Sequence, residues 1–253
     1  MKPTILAGLA IALGATGLMA QVKVKSKAEA EAINALVNAA KSGDNDATIK
    51  AADDLLTKFA DTAYKVTALN MESSAYHRKG DDDHAQVYAE QVLVADPKDY
   101  QAPLLIGETL VTHTRENDLD KEEKLAKAEK DLNLAIENTK AAVKPNPQLP
   151  DDQWEEYKKG EIAEAQAGLG KLYMARKKWD VAITDLQTAI AVDPQPAYLV
   201  WLASSQLQVG KADEAIATCD KLLAQPNLAP VYKQAATGVR ADAVKAKGGA
   251  GKL

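Results

Sequence analysis

Cysteine and phenylalanine are nearly absent from this chain of 253 residues, with one of each, and aromatic residues make up only 5% of it. The single thiol, Cys219, cannot form an internal disulfide, so no disulfide framework holds the fold together. Cys219 lies at an apolar helical position, which predicts a buried and unreactive thiol. The low aromatic content favours small units that bury apolar faces against their neighbours over one deep globular core.

A basic patch is missing as well. The 36 acidic residues outnumber the 31 lysines and arginines, the formal net charge is −5, and the lysines are spread along the chain. Nucleic-acid binding rests on clustered positive charge that neutralises phosphates. We therefore expect no nucleic-acid partner.

Catalytic and metal-binding motifs are also missing from the sequence. His77, His84 and His113 fall in different predicted helices, without a metal-ligand spacing such as HExxH. Two glycine-rich strings resemble phosphate loops, but 168–171 lies inside a predicted helix and 248–252 has no helix after it to supply a dipole. We therefore predict that the protein is not an enzyme and holds no metal ion or other cofactor.

Residues 1–20 have the layout of a secretory signal peptide. Lys2 precedes an apolar run from Ile5 to Met19, and small residues lead to a cleavage site after Ala20. The alternative is an uncleaved membrane anchor, although the run is short for a span. We expect a periplasmic or secreted bacterial protein with a flexible leader at 21–27. After cleavage it would have no membrane span, and it would be free or peripherally associated with the envelope.

Apolar residues at helical spacing predict successive pairs of helices. The first pair covers 27–41 and 46–60, and its second helix places Ala52, Leu56 and Phe59 at small, large-apolar and small positions. The second pair covers 62–79 and 81–94, with Gly80 in the turn. Aspartates 81–83 and His84 could be read as metal ligands. Because consecutive helical residues point in different directions, we interpret them as an N-terminal cap instead.

The third pair departs from this plan. Its first helix covers 100–116, and residues 117–124 lengthen the connection before Ala128, Leu132 and Ala135 resume the pattern. The charged segment 120–130 is expected to extend the second helix, supported by Glu and Lys at three- and four-residue offsets. The insertion is either a neutral surface elaboration or a docking feature.

Three prolines in 144–150 make the clearest break in the chain. They predict an extended link between an N-terminal part, 28–143, and a C-terminal part, 151–246, followed by a flexible tail at 247–253. The link is either a hinge or a piece of one continuous superhelix. After it, a long helix is expected to carry Trp154 and Tyr157, and the last helix, 229–245, is expected to cap the C-terminal end.

One spacing of residues recurs in the chain. Between Ala163 and Pro194 it consists of Leu169-Gly170, Tyr173, Ala182, Leu186, Ala189 and Pro194. Gly170 and Ala182 are small where two helices of one pair are predicted to cross, and Pro194 ends the second helix. The same register is found from Val66 to Pro97, with Tyr76, Gly80 and Ala85, and again from Pro196, with Leu202-Ala203, Gly210, Ala215 and Cys219.

This spacing resembles the tetratricopeptide repeat, a helix–turn–helix unit of 34 residues whose first and second helices are called A and B. The resemblance, to exported bacterial members of the family, implies an all-α, right-handed superhelical α-solenoid of about five repeats plus a C-terminal capping helix. It also implies a non-catalytic scaffold that binds another protein, as an extended peptide or a helix, in a concave groove lined by the A helices. The alternative is a periplasmic carrier that binds a small apolar ligand or lipid between the two halves, near Trp154, Tyr157 and Trp201.

The resemblance also assigns groove positions by register. They are Asn34, Lys41, Asn70, Ser74, His77, Arg78, Glu108, Thr112, Lys171, Met174, Ser204 and Gln208. Relatives that hold chaperone C-termini use a clamp of basic and asparagine residues for the terminal carboxylates. Only Asn70 and Arg78 match such a clamp here, so we do not expect a co-chaperone of that type.

Overall fold

The computed structural model describes residues 24–250, with side chains up to 248, and every regular element in that range is an α-helix. The predicted signal peptide lies outside the described residues, as do residues 21–23 of the leader and 251–253 of the tail. The helices are α1 (Lys27–Ser42), α2 (Asn45–Lys58), α3 (Lys65–Arg78), α4 (Asp82–Ala95), α5 (Gln101–His113), α6 (Lys121–Ala141), α7 (Asp151–Ala175), α8 (Trp179–Val192), α9 (Pro196–Gln208), α10 (Ala212–Leu223) and α11 (Pro230–Ala250).

The turn between α1 and α2 lies in the gap between the two predicted helices. Gly43 takes a left-handed backbone conformation, with φ of 76°, which a glycine adopts without steric cost. The Asp44 side chain then accepts a hydrogen bond from the Ala47 amide at 3.0 Å and caps α2. One register prediction was wrong. Leu55 is fully buried in α2, whereas Leu56 is only partly buried. The buried face runs through Thr48, Ala52 and Leu55, at steps of four and three residues, and Leu56 lies at its edge.

The cap predicted at the start of α4 is confirmed. The Asp81 carboxylate accepts a hydrogen bond from the backbone amide of His84 at 3.3 Å, and the carboxylate lies 2.8 Å from Nδ1 of the same histidine. Gly80, in the preceding turn, has φ of 77°. These aspartates therefore begin a helix, as helix N-termini favour negative charge.

The extension of α6 is confirmed, because this helix has 21 residues and starts at Lys121. Helix α5, in contrast, ends at His113, three residues before the predicted end. The Thr114 hydroxyl donates to the Leu110 carbonyl at 2.6 Å, and the Asp118 carboxylate accepts from the Arg115 amide at 2.9 Å. These local bonds favour a turn over further helix.

The first half of α6 is fastened to α7 by charged hydrogen bonds. Glu129 accepts bonds from the Tyr173 hydroxyl at 2.6 Å and from Nη1 of Arg176 at 2.5 Å. Nε of Arg176 also donates to Glu122 at 3.1 Å. The insertion therefore packs against its neighbour through specific bonds, while Leu119 in its loop is fully exposed.

The close crossing predicted within the fourth repeat is confirmed between α7 and α8. A Cβ atom placed on Gly170 would lie 2.7 Å from Cγ of Leu186 and 3.4 Å from the Ala182 carbonyl oxygen. No side chain larger than hydrogen fits there unless Leu186 moves. Ala182 and Leu186 are themselves fully buried.

The chain forms two compact units. Unit 1 comprises the described residues up to Thr109 together with Asn133–Lys158, and unit 2 comprises Leu110–Leu132 and the described residues from Lys159 onward. The irregular proline link therefore lies inside unit 1, and the units do not follow the predicted division at the link. The predicted long helix after the link is confirmed as α7, with 25 residues. Helix α11 continues to Ala250, five residues past its predicted end; Ala246 and Lys247 favour the extension, whereas the two glycines that follow do not.

Candidate functional site

Four of the predicted groove residues lie on α3 in unit 1. Asn70, Ser74 and His77 follow one another at four- and three-residue steps, so they share a face of the helix, and all are partly exposed. The Asn70 amide donates to Asp99 at 2.7 Å, and Nδ1 of His77 lies 2.6 Å from Asp82. Two of the three side chains are therefore oriented by bonds within the chain, and Ser74 lies between them.

Arg78 has a role that the sequence did not predict. Its Nε donates to the side-chain oxygen of Asn45 at 2.8 Å, and the adjacent Lys79 forms an ion pair with Asp46. Both bonds join the end of α3 to the first turn of α2. No local pattern could have shown this, because the partners are 33 residues apart.

The other predicted residues of unit 1 lie on α1 and α5. Asn34 and Lys41 are exposed on α1, seven residues apart and therefore on one face. Glu108 is partly exposed on α5. The predicted residues of unit 1 are thus surface residues on three different helices.

The predicted residues of unit 2 surround an aromatic pair. The Lys171 amino group donates to the Thr112 hydroxyl at 3.0 Å and lies 5.4 Å from the centre of the Trp201 ring. The Tyr198 and Trp201 rings are 5.6 Å apart and tilted by 33°. Met174 packs with both rings against a buried apolar cluster that includes Leu186. The structure therefore brings Lys171 and Met174 together around partly exposed aromatic side chains.

Helix α9 carries the aromatic pair and has no charged residue in its 13 positions. Ser204 is partly exposed and Gln208 is exposed on it. Aromatic rings with amide and hydroxyl groups provide rigid contact area and adaptable hydrogen bonds, and interface cores are typically depleted in charge. The sequence analysis selected Ser204 and Gln208 but missed Tyr198. The absence of charge from residues 196–208 could have revealed it.

Trp154 and Tyr157, which the carrier hypothesis placed at an apolar cavity, belong to the packed interior of unit 1. Their exposed fractions are 4% and 8%. The two rings stack at 5.4 Å, and the Tyr100 ring meets both of them edge-on at 6.5 and 6.3 Å. Their surface is used in folding, which gives the carrier hypothesis no support from these residues.

Glu72 on α3 is a buried carboxyl group that the sequence analysis missed. It is fully buried, and neither of its oxygens has a hydrogen-bond partner of acceptable geometry. Its pKa is raised to about 8, chiefly by burial; the Tyr88 hydroxyl works against this rise, and the Asp53 carboxylate contributes to it. This carboxyl group lies in the core, so it cannot contact a partner directly.

Cys219 and the possible metal ligands are the other groups for which the sequence raised a chemical role. Cys219 is buried, as predicted, and burial raises the pKa of its thiol, so that little thiolate forms at neutral pH. In residues 24–248, no three histidine, cysteine or acidic side chains are grouped so that they could hold a metal ion. Within the part of the chain that the structure describes, no helix has the length and apolar character needed to cross a membrane.

Two segments match models of the tetratricopeptide repeat, residues 66–99 and residues 168–230. No curated protein matches the sequence. Among solved structures, a thermophilic TPR protein from Thermus thermophilus is 18% identical, with 83% of this chain and 98% of that chain covered and a TM-score of 0.57. The MamA protein is 18% identical over 77% of this chain and 90% of its own, with a TM-score of 0.56. Yeast Tom70 is 16% identical over 90% of this chain and 45% of its own, with a TM-score of 0.55.

The fold and the recurring spacing thus define a protein of stacked helical hairpins. The chain contains tetratricopeptide repeats, matched by sequence in both units, and its described part has the fold of proteins built from them. Such repeats suggest a scaffold for protein–protein interaction, and proteins of this kind are generally non-catalytic.

Proposed function

We propose that this protein is a non-catalytic interaction scaffold, exported to the bacterial periplasm or cell envelope, that binds an extended peptide or a helix of another protein. The A helices provide the binding faces, and those of unit 2 have the most suitable chemistry. The observation that carries this proposal is the uncharged helix α9, on which Tyr198 and Trp201 remain partly exposed beside Lys171.

The contacts of Lys171 support this reading. Its amino group is placed by Trp201 and Thr112, so little side-chain entropy is lost when a partner's carbonyl or carboxylate approaches. The two aromatic rings would provide most of the buried area, as aromatic anchors do in other interfaces. Ser204 and Gln208 would provide hydrogen bonds that select the partner.

Photo-crosslinking at single positions tests the binding face. Benzoylphenylalanine is placed at Gln208 on α9 or, as the matched control, at Gln187 on α8; both glutamines are exposed and both belong to unit 2. Cells are irradiated, and the adducts are identified by mass spectrometry. We expect discrete protein adducts from position 208 and none from position 187. Protein adducts from position 187 alone would indicate that the interface lies on the B helices. Protein adducts from neither position would contradict the proposal that this face binds a partner protein.

The location is tested separately. Export with cleavage after Ala20 predicts a mature chain that begins at Gln21 and is released with the periplasmic fraction. The intact mass of the purified protein measures the N-terminus directly. A mass that includes residues 1–20, in a membrane pellet, would support the anchor instead.

A further inference from the structure

Glu72 occupies a position that is apolar in the other repeats of the same register. Counting from Val66 and from Ala163, Glu72 corresponds to Leu169, and the same place holds Ile106 and Leu202 in the neighbouring repeats. Those three side chains are buried, with exposed fractions of 1 to 6%. Glu72 is buried as completely, at 0%. Unit 1 thus has a buried carboxyl group at a position where the other repeats have a buried hydrocarbon side chain.

The surroundings of Glu72 do not favour a negative charge. Asp53 faces it from α2, and the Tyr88 hydroxyl faces it from α4. On its own helix, Tyr76 stacks on Tyr88 at 5.4 Å. Lys79 and Asp81 act on the Tyr76 hydroxyl, and the His84 ring stacks on the Tyr76 ring at 5.0 Å. Lys79 is paired with Asp46, and Asp81 with His84. The groups that act directly on Glu72 are thus an anion and a neutral hydroxyl.

Glu29 in the same unit shows how a buried carboxylate is usually satisfied. It is almost fully buried, and its Oε2 accepts a hydrogen bond from the Lys25 backbone amide at 2.6 Å. Glu72 has no such donor of acceptable geometry on either oxygen. A protonated carboxyl, however, is itself a donor, and the carboxylate of Asp53 is an acceptor for it. Protonation therefore removes a buried charge and allows a bond between α3 and α2.

We propose that a proton on Glu72, shared with Asp53, is a latch that holds α3 between α2 and α4, and that losing this proton on the alkaline side loosens the α3–α4 hairpin. The hairpin carries Asn70, Ser74 and His77, so the latch would control the order of one binding face. The latch itself is a property of unit 1 alone and holds whether or not the proposed function is correct.

The sign of the pH dependence follows from the two ionisation states. An unfolded glutamate releases its proton near pH 4.5, whereas Glu72 in the folded hairpin has a pKa of about 8. Between these values the folded hairpin binds one more proton than the opened one, so its stability falls as the pH rises. The equilibrium constant for opening should increase about tenfold per pH unit from about pH 5.5 to 7.5, and should level off above about pH 8.

Hydrogen exchange with mass spectrometry measures this opening in the full chain without any partner. Exchange of peptides within residues 65–95 is followed from pH 5.5 to 9 and corrected for the pH dependence of chemical exchange. We expect the tenfold increase per pH unit in the wild type and a flat profile in Glu72→Gln. Glu90→Gln, an exposed glutamate on α4, should behave like the wild type. A flat wild-type profile, or an unchanged rise in Glu72→Gln, would overturn the proposal.

If Glu72→Gln does not fold, the variant Asp53→Asn provides a second test of the shared proton. Asp53 is exposed, so this substitution leaves the core intact. Removing its charge should lower the pKa of Glu72, and the plateau of the opening constant should move to lower pH. A plateau at the wild-type pH would exclude a proton shared between these two carboxyl groups.

Discussion

The crossing of α7 and α8 can be tested by one substitution at two glycines of the same helix. A Cβ added to Gly160 would have no neighbouring atom within 4 Å, whereas a Cβ on Gly170 would lie 2.7 Å from Cγ and 3.0 Å from Cδ2 of Leu186. Gly160→Ala should stabilise the protein by about 1 kcal/mol, because alanine is the better helix former. Gly170→Ala has the same gain, offset by overpacking that costs about 1–3 kcal/mol.

The free energy of unfolding of Gly170→Ala should therefore lie about 1–3 kcal/mol below that of Gly160→Ala. Urea denaturation followed by far-ultraviolet circular dichroism measures both variants, and comparable slopes are required for the comparison. Leu186→Ala in the Gly170→Ala background should cost less than the same change alone, because it removes the Cγ and Cδ2 atoms that clash. Equal midpoints for the two alanine variants would refute the close crossing.

Three further predictions concern single side chains. Gly210→Ala should destabilise the protein by about 1–2 kcal/mol in the same urea assay, because φ of 77° is unfavourable for alanine; a neutral result would mean that this turn can rearrange. Tyr173→Phe should cost about 1–2 kcal/mol by removing the bond to Glu129, and the loss should disappear when Glu129→Ala is already present. Cys219 should react with Ellman's reagent only after unfolding, and rapid labelling of the native protein would contradict its burial.

The helix ends that sequence reasoning predicted correctly depend on local chemistry. Gly43 and Asp44 define a turn by their own backbone and side-chain preferences, and Asp81 caps α4 whatever surrounds it. The Gly170 crossing was predictable for another reason, since a recurring spacing reports a packing rule that every repeat obeys. Features of this kind can be predicted because they depend on residues that are close together in the sequence.

Other features depend on partners that are distant in the sequence. The Arg78–Asn45 bond joins residues of two different hairpins, and a scan for local patterns treats both simply as polar surface. The burial of Glu72 was missed although its register was known, because a glutamate in an apolar position is a departure from the pattern and was given no role. Glu72 departs from the pattern because its side chain is polar, yet it is as buried as the apolar side chains at the same position of the other repeats.

Tyr198 is a residue of the candidate site that was identified only from the structure. The sequence placed Ser204 and Gln208 on the predicted groove, whereas Tyr198 was given no role and Trp201 was assigned to a possible ligand cavity. Their partial exposure depends on how much of each ring the neighbouring helices cover, and this covered area cannot be calculated from the sequence.

The position of the proline link has a practical consequence for dividing the protein. A fragment that ends at residue 143 stops at an apparent linker, yet it removes Trp154 and Tyr157 from the Tyr100 ring that they cover in unit 1. An N-terminal piece that keeps this aromatic contact must therefore extend through the first turns of α7. A shorter fragment would present an uncovered aromatic surface to solvent and should self-associate, even though the prolines that follow it resemble a natural boundary.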